Sequence, residues 1–416
     1  MSLALSLYRA ATALLEPLAP ALLARRARRG KEDPTRLGER LGKAGAPRPD
    51  GPLVWLHGAS VGETLSLLPL IAWLRKTRPG LTLLVTSGTT TSADLLARRL
   101  PDGAIHQYAP IDAPRALTRF LDHWKPSLVV LAESEIWPNL IGQARRAGAK
   151  LALVSARMTT SSAKGWSRLP RAARTMFGSF DAVLAQDDAS AARLTALGAR
   201  DDGRLNLKLA GEPLPVDAAK LAAIEAAAGP RTILLAASTH DGDEALALAA
   251  FAQAQAEGRA LLVIAPRHPV RAQAVVDLAR DEGFTAALSS EAPFGQAEVQ
   301  VVDALGELGP WFAAAPVAYV GGGRSDRIGG HNPLEAARLS CAVASGRQVR
   351  NWAGVYDALG DTVTMVDDTA GLAAAWRAAL DDPEAVKARA AAARAIAENQ
   401  AAGLEARFAP LEALLP

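Results

Sequence analysis

Three features of the sequence predict an α/β protein built from two successive doubly wound units. Short apolar runs alternate with helix-period segments of roughly ten to fifteen residues, which is the pattern of parallel strands joined by right-handed crossovers. The alternation pauses between Leu209 and Pro230, where Gly211, Pro213 and Pro215 stand, and then restarts. At 416 residues the chain is long enough to bury two cores of ordinary size. The expected division is an N-terminal helix and basic segment over 1–35, a first unit over 36–208, a linker over 209–230 and a second unit over 231–416, with a cleft between the units.

Taken in order, the first unit opens with the strand VWLHGA and a helix to Arg78. LTLLVTSG then precedes a helix from about Ser92 to Leu100, IHQYAP a helix from Pro114 to His123, and SLVVLAE a helix from Pro138 to Ala147. LALVSAR, a helix over Arg168 to Phe177, DAVLAQ, a helix over Ser190 to Leu197 and a last strand RLNLKL complete it. The second unit reads TILLAAS, a helix from Asp243 to Glu257, ALLVIAP, a helix from Val270 to Glu282, then FTAALS, VQVVD, PVAYVGGG, a helix from Pro333 to Leu339, CAVASG and TVTMVD. Two Ala-rich helices fill most of Ala370 to Leu414, where high helix propensity and packing explain the composition.

Composition excludes several classes. Half the residues are hydrophobic and 21% are charged, which is a globular and not a disordered composition. The net charge of +3 suits anionic substrates or a membrane surface, and the basic residues form no stripe of the kind a nucleic-acid binder carries. A single cysteine, Cys341, allows no intramolecular disulfide and no cysteine zinc site, as expected of a cytosolic protein. The histidines form no H-E-x-x-H pattern, so no metal site is expected.

The stretch Leu3–Leu23 is rich in Leu and Ala but contains Arg9, Glu16, Pro17 and Pro20, and Arg25, Arg26, Arg28 and Arg29 follow it. A spanning helix needs about 20 largely uncharged apolar residues, so this segment is marginal as a span. It is expected to lie on or shallowly enter a cytoplasmic leaflet, with its arginines at anionic head groups, or else to pack on its own protein.

Four loops at the carboxyl ends of strands carry candidate chemistry, since ligands of open α/β sheets sit there. The first is His57-Gly58-Ala59-Ser60-Val61-Gly62-Glu63, in which Glu63 is either a functional carboxylate or the Glu of an S-x-x-E capping box with Ser60. The second is Glu133-Ser134-Glu135-Ile136-Trp137-Pro138. Residues two apart on a strand share a face, so Glu133 and Glu135 act as an acid–base pair where the strand persists, or merely begin a helix. The third, Pro266-Arg267-His268-Pro269, stiffly presents Arg267 and His268 to an anion. The fourth joins Gly321-Gly322-Gly323 to Gly329-Gly330-His331-Asn332-Pro333-Leu334-Glu335. There glycine amides approach a phosphate, Asn332 caps a helix, and Glu335 either accepts from ribose hydroxyls or closes the cap. Neither G-x-G-x-x-G nor G-x-x-x-x-G-K-[ST] occurs, so the dinucleotide and ATPase fingerprints are both missing.

In combination and order, RLGERLG, WLHGASVGE, ESEIWPNLI, SARMTTSSAKGW, NLKL, ASTHDGDE, PRHP and GGHNPLEAA resemble the family of 3-deoxy-D-manno-octulosonic acid (Kdo) transferases of lipopolysaccharide assembly. The resemblance spans nearly the whole chain. It implies a GT-B type fold and an inverting, metal-independent glycosyltransferase with no cofactor, using CMP-Kdo as donor and a lipid A precursor (lipid IVA) as acceptor at the cytoplasmic face of the inner membrane. It further implies Glu63 as general base and Glu133 in its support, donor contacts from Arg267, His268, Gly323, Asn332 and Glu335, and acceptor-side or supporting roles for Ser60, Gly62, Glu135 and Lys208 of NLKL. The alternatives are a GT-B enzyme with a different nucleotide sugar and a noncatalytic nucleotide-binding protein.

Overall fold

The computed structural model describes residues 2–210, 213–254, 258–304 and 306–416. The chain forms two compact units, Met1–Gly211 with Gly403–Pro416, and Glu212–Ala402. Each is built on an all-parallel sheet.

In the first unit six strands, β1 (Leu53–His57), β2 (Thr82–Ser87), β3 (Ile105–Tyr108), β4 (Leu128–Ala132), β5 (Lys150–Ala156) and β6 (Ala182–Ala185), run in the order β3-β2-β1-β4-β5-β6. The order reverses between β1 and β4, so the loops leaving these two strands flank the topological switch point. Alternate residues of β1 face opposite layers. Leu53 and Trp55 join Phe120, Trp124 and Phe177, while Val54 and Leu56 join Leu70, Ile71 and Phe408. The helix expected to run unbroken to Arg78 is two helices, Val61–Ser66 and Leu68–Thr77. Pro69, in the first turn of the second, lacks the N–H that would continue the ladder. RLNLKL is not a strand. One bridge joins Arg204 to Ala185, after which the chain turns inward through Leu207–Ala210, with the Leu205 and Leu207 N–H groups donating to Ala185 O and Ser155 Oγ.

The N-terminal segment is also two helices, Leu3–Leu15 and Ala19–Ala27, separated at Glu16–Leu18 by the turn that Pro17 enforces. It is fastened to the first unit by polar groups. The buried Glu16 accepts from the free N–H groups of Arg115 and Ala116 at the start of the helix Pro114–Trp124, and Tyr8 donates to Asp112 at 2.9 Å. Its other face is apolar and open, with Leu3, Leu7, Leu14, Leu18 and Leu22 between 58% and 80% exposed. Among the described residues no helix is long and apolar enough to cross a membrane. RLGERLG is scaffolding: Glu39 pairs with Arg36 and accepts from the Tyr108 N–H, and a Cβ at Gly42, where φ is +80°, would collide with Ala116 O.

In the second unit β7 (Thr232–Thr239), β8 (Ala260–Pro266), β9 (Ala286–Leu288), β10 (Val299–Val301), β11 (Val317–Val320), β12 (Ala342–Ser345) and β13 (Val363–Met365) run in the order β13-β12-β11-β7-β8-β10-β9. The switch point here lies between β7 and β11. Two features depart from the expected division. The span 209–230 contains the helix Ala218–Ala228, capped by Asp217 and packed on Leu308–Ala314 of the second unit. Residues 403–416 return to the first unit, where the Phe408 ring lies 5.0 Å from Trp73, because Phe408 and Leu411 are apolar and that layer is open to them. The helix expected over Asp243 to Glu257 is seen as Asp243–Gln253; Glu257 lies outside the described residues.

Candidate active site

In the first unit Glu63 does form the capping box. Its Oε2 accepts from Ala59 N at 2.7 Å, its Oε1 from Ser60 Oγ at 3.0 Å, and its own N–H donates to Ser60 Oγ at 3.4 Å. These bonds fix the carboxylate without consuming it, since an ionised carboxyl offers about four lone-pair directions. Its proton affinity is nevertheless raised, by burial first and then by the charges of Glu135 and Glu133, which together outweigh the bonds from Ala59 and Ser60. The tight position in this loop is Gly58, where a Cβ would come within 3.0 Å of Glu63 C and Thr64 N. A Cβ at Gly62 would meet open space, so packing does not require that glycine.

β4 ends at Ala132, so Glu133 and Glu135 do not share a strand face. Glu133 takes φ +55°, a left-handed conformation uncommon for a residue with a side chain, and this turn sends the two carboxylates to different partners. Buried Glu133 meets Lys208 Nζ at 2.8 Å. Glu135 Oε2 accepts from Trp137 Nε1 at 2.5 Å and lies 3.3 Å from His57 Nε2. Burial works against the Glu135 anion, but the His57 and Trp137 contacts prevail and hold its carboxyl below the usual range. Glu63, Ser60, Glu133, Glu135 and Lys208 therefore belong to one constellation at the β1–β4 switch point, with Lys208 delivered by the inward turn that replaced the expected strand.

In the second unit the organising residue is Asp243, 2% exposed. Its Oδ2 accepts from His240 N at 3.0 Å and Gly322 N at 2.8 Å, and its Oδ1 from Tyr319 OH at 2.9 Å, tying the loop after β7 to the loop after β11. Much of the expected glycine cradle is thereby occupied, because Gly321 N–H donates to Ala237 O, Gly329 N–H to Ser325 O and Gly330 N–H to Gly322 O. Among the described residues the Gly323 N–H has no acceptor. Close packing demands a glycine there, since a Cβ would lie 2.6 Å from Gly346 O and 2.8 Å from Ser345 Oγ.

Arg267 and His268 stand exposed at the end of β8, with the His268 ring edge-on to His240 at 5.8 Å. His240 Nε2 and His331 Nε2 lie 2.8 Å apart, and burial followed by neighbouring His240, Arg267 and His268 pushes His331 down to about 4. Asn332 caps Leu334 N at 3.1 Å, and its Nδ2 donates to Glu335 Oε1 at 3.4 Å. The helix there is short, Leu334–Ala337, and not the expected Pro333 to Leu339. Burial raises the proton affinity of Glu335 against the opposing bond from Asn332. Arg267, His268, His240, His331, Gly323 and Asn332 thus lie on loops at the carboxyl end of this sheet, and Glu335 in the first turn of the short helix that follows them. His57, His240, His331 and Asp243 were not singled out from the sequence. The available signal was their place at the carboxyl ends of β1, β7 and β11 or in the segments that follow, since these strands prove to flank a switch point.

The sequence matches the family model of 3-deoxy-D-manno-octulosonic-acid transferase (kdotransferase) over residues 35–210. It is 31% identical over 411 residues, 94% of this chain and 92% of the other, to the Arabidopsis thaliana protein named "Probable 3-deoxy-D-manno-octulosonic acid transferase, mitochondrial". It is 35% identical to the 3-deoxy-D-manno-octulosonic acid transferase of Rickettsia bellii, over 76% of each chain. Among solved structures, a glycosyltransferase from Rickettsia africae matches with a TM-score of 0.59 at 11% identity, covering 88% of this chain and 98% of that one, a likeness in fold that supports the GT-B type. The chain belongs to the 3-deoxy-D-manno-octulosonic acid transferase family and is a glycosyltransferase.

Proposed function

We propose that the protein transfers Kdo from CMP-Kdo to a lipid A precursor, lipid IVA, by an inverting displacement that needs no metal or cofactor, with Glu63 as general base. The observation that carries this reading is the contrast among the three carboxylates of these loops. Glu133 is paired with Lys208 and Glu135 is held as an anion, whereas Glu63 is fixed in place with its proton affinity raised. Glu63 takes the proton of an acceptor hydroxyl as that oxygen bonds the anomeric carbon. The bond from that carbon to the CMP phosphate breaks, and its electron pair leaves with CMP. Arg267, His268 and the Gly323 N–H receive the phosphate charge, and Asn332 and Glu335 contact the rest of the nucleotide. Ser60 and Gly62 border the acceptor.

The exposed leucine face of the N-terminal helices and the arginines after it form a surface suited to the cytoplasmic leaflet of the inner membrane. The direct test is to incubate the full chain with CMP-Kdo, lipid IVA and a chelator, and to follow the lipid by mass spectrometry. A gain of one or more Kdo masses, competed by CMP and not by UDP, is expected. CMP binding without any mass gain would refute the transfer reaction, and a requirement for divalent cation would refute metal independence.

A further inference from the structure

An ionised carboxylate only accepts hydrogen bonds, an indole only donates, and a neutral imidazole does one of each. Applied to the polar groups beneath the first-unit loops, these rules fix the donor at one end and the acceptor at the other. Trp55 Nε1 donates to Thr86 Oγ1 at 2.8 Å, Thr86 Oγ1 lies 2.9 Å from His57 Nδ1, and His57 Nε2 lies 3.3 Å from Glu135 Oε2. With Glu135 ionised, His57 donates its Nε2–H to that carboxylate, while its Nδ1 meets the Thr86 hydroxyl and lies 3.3 Å from Thr86 O. The chain therefore links an indole in the core to a carboxylate at the end of the sheet. Trp55, Thr86 and His57 are all buried, so turning the ring would orphan groups that water cannot reach.

We propose that His57 is a positioning residue for the reaction: through this buried chain it holds Glu135 as a fixed anion, so that Glu63, and not Glu135, receives the acceptor's proton. The inference rests on the reading of Glu63 as the base and deepens it. The titratable and charged groups acting on Glu63 are Glu135 and Glu133, with His57 and Trp137 behind the first and Lys208 behind the second. Two carboxyls driven in opposite directions by their surroundings, Glu63 up and Glu135 down, are separated in this way into a base and a standing charge. The strained backbone at Glu133 serves the same division, because it turns the following residues out of the strand and toward His57.

The test is the pH profile of kcat/KM for Kdo transfer by the full chain, comparing wild type with His57→Leu, His57→Gln and Glu135→Gln. In His57→Leu the imidazole donor is gone, Trp137 alone is left to hold the anion, and Glu135 takes up a proton in the working range. Glu63 then loses its negative neighbour, and the acid limb moves to lower pH by about one unit, the scale of a close like-charge interaction. Glu135→Gln gives the same displacement, and His57→Leu adds nothing in that background. His57→Gln, whose amide N–H stands in for Nε2–H, restores the wild-type limb. An acid limb unmoved in Glu135→Gln overturns the proposal, even if leucine at the buried position prevents folding. Glu63→Gln in parallel separates the two readings: retained turnover removes the base assignment itself, whereas an inactive Glu63→Gln with unmoved limbs removes the positioning role alone.

Discussion

Glu63 occupies a place where a cap and a base make the same bonds, and Glu63→Gln pulls the two roles apart. Glutamine at this position of a capping box still accepts from the Ala59 N–H, so the helix start survives, while the group that would take a proton is lost. If Glu63 only caps, its complete loss costs about 1 kcal/mol, which in a unit of this size lowers Tm by about 2–4 °C and leaves nearly all molecules folded and active. If it is the base, turnover falls on the order of 10²–10⁴-fold with the fold intact. The linkage sign sharpens the contrast. Burial and the Glu135 and Glu133 charges raise the folded-state proton affinity of Glu63, so its contribution to stability is present at low pH and is lost as pH rises through the folded value. At pH 7 the ionised side chain is a burden, and Glu63→Gln is expected to be at least as stable as wild type. That advantage disappears below the ordinary glutamate value of about 4.3. Thermal unfolding at pH 4 and 7, beside single-turnover transfer assays, measures both effects, with Glu63→Ala reporting loss of cap and base together. Near-normal turnover of Glu63→Gln would refute the reasoning and leave Glu63 as a cap.

Other consequences can be checked independently. Asp243→Asn presents an amide to the three donors that converge on the carboxylate, and is expected to destabilise the second unit by about 1–3 kcal/mol in urea unfolding and to weaken CMP binding. Gly323→Ala drives a Cβ to within 2.6 Å of Gly346 O and should abolish CMP binding in calorimetry, whereas Gly62→Ala meets open space and should keep its Tm while transfer falls. Replacing Leu7, Leu14 and Leu18 together by Asn removes exposed apolar surface only. It should reduce partition onto anionic vesicles by about tenfold or more at unchanged Tm, and unchanged partition would remove the leaflet assignment. Deleting the segment is a poorer test, because Glu16 goes with it and leaves the helix Pro114–Trp124 without its cap.

Most of the fold was legible because buried parallel strands are written as short continuous apolar runs, and every strand from VWL to TVTMVD except RLNLKL was found where its run lies. RLNLKL failed because alternation in sequence does not say whether a neighbouring strand exists to pair with. Here Ser155 and Ala185 take its N–H groups and turn it inward. The loops were legible as loops, but their internal chemistry was not. Period-two spacing put Glu133 and Glu135 on one face, and a single left-handed residue separated them. His57 looked like the last letter of a strand, and only the pairing of β1 with β2 places Thr86 beside it. Return of residues 403–416 to the first unit was invisible because Phe408 and Leu411 carry no mark of which core they will enter.

That return sets the order in which the protein can be completed during synthesis. A ribosome adding about 5–20 residues per second makes the whole of Glu212–Ala402 before it makes Phe408, so the first unit waits on the order of ten seconds or more for a missing piece of its core. The second unit meanwhile has its entire sequence available and folds as an insertion within the first. Trp73, whose ring lies tilted against Phe408 in the finished structure, lacks that neighbour through the interval. A released chain that ends at residue 402 should therefore hold a mature second unit and a protease-sensitive first one, the reverse of the usual amino-terminal-first sequence of events.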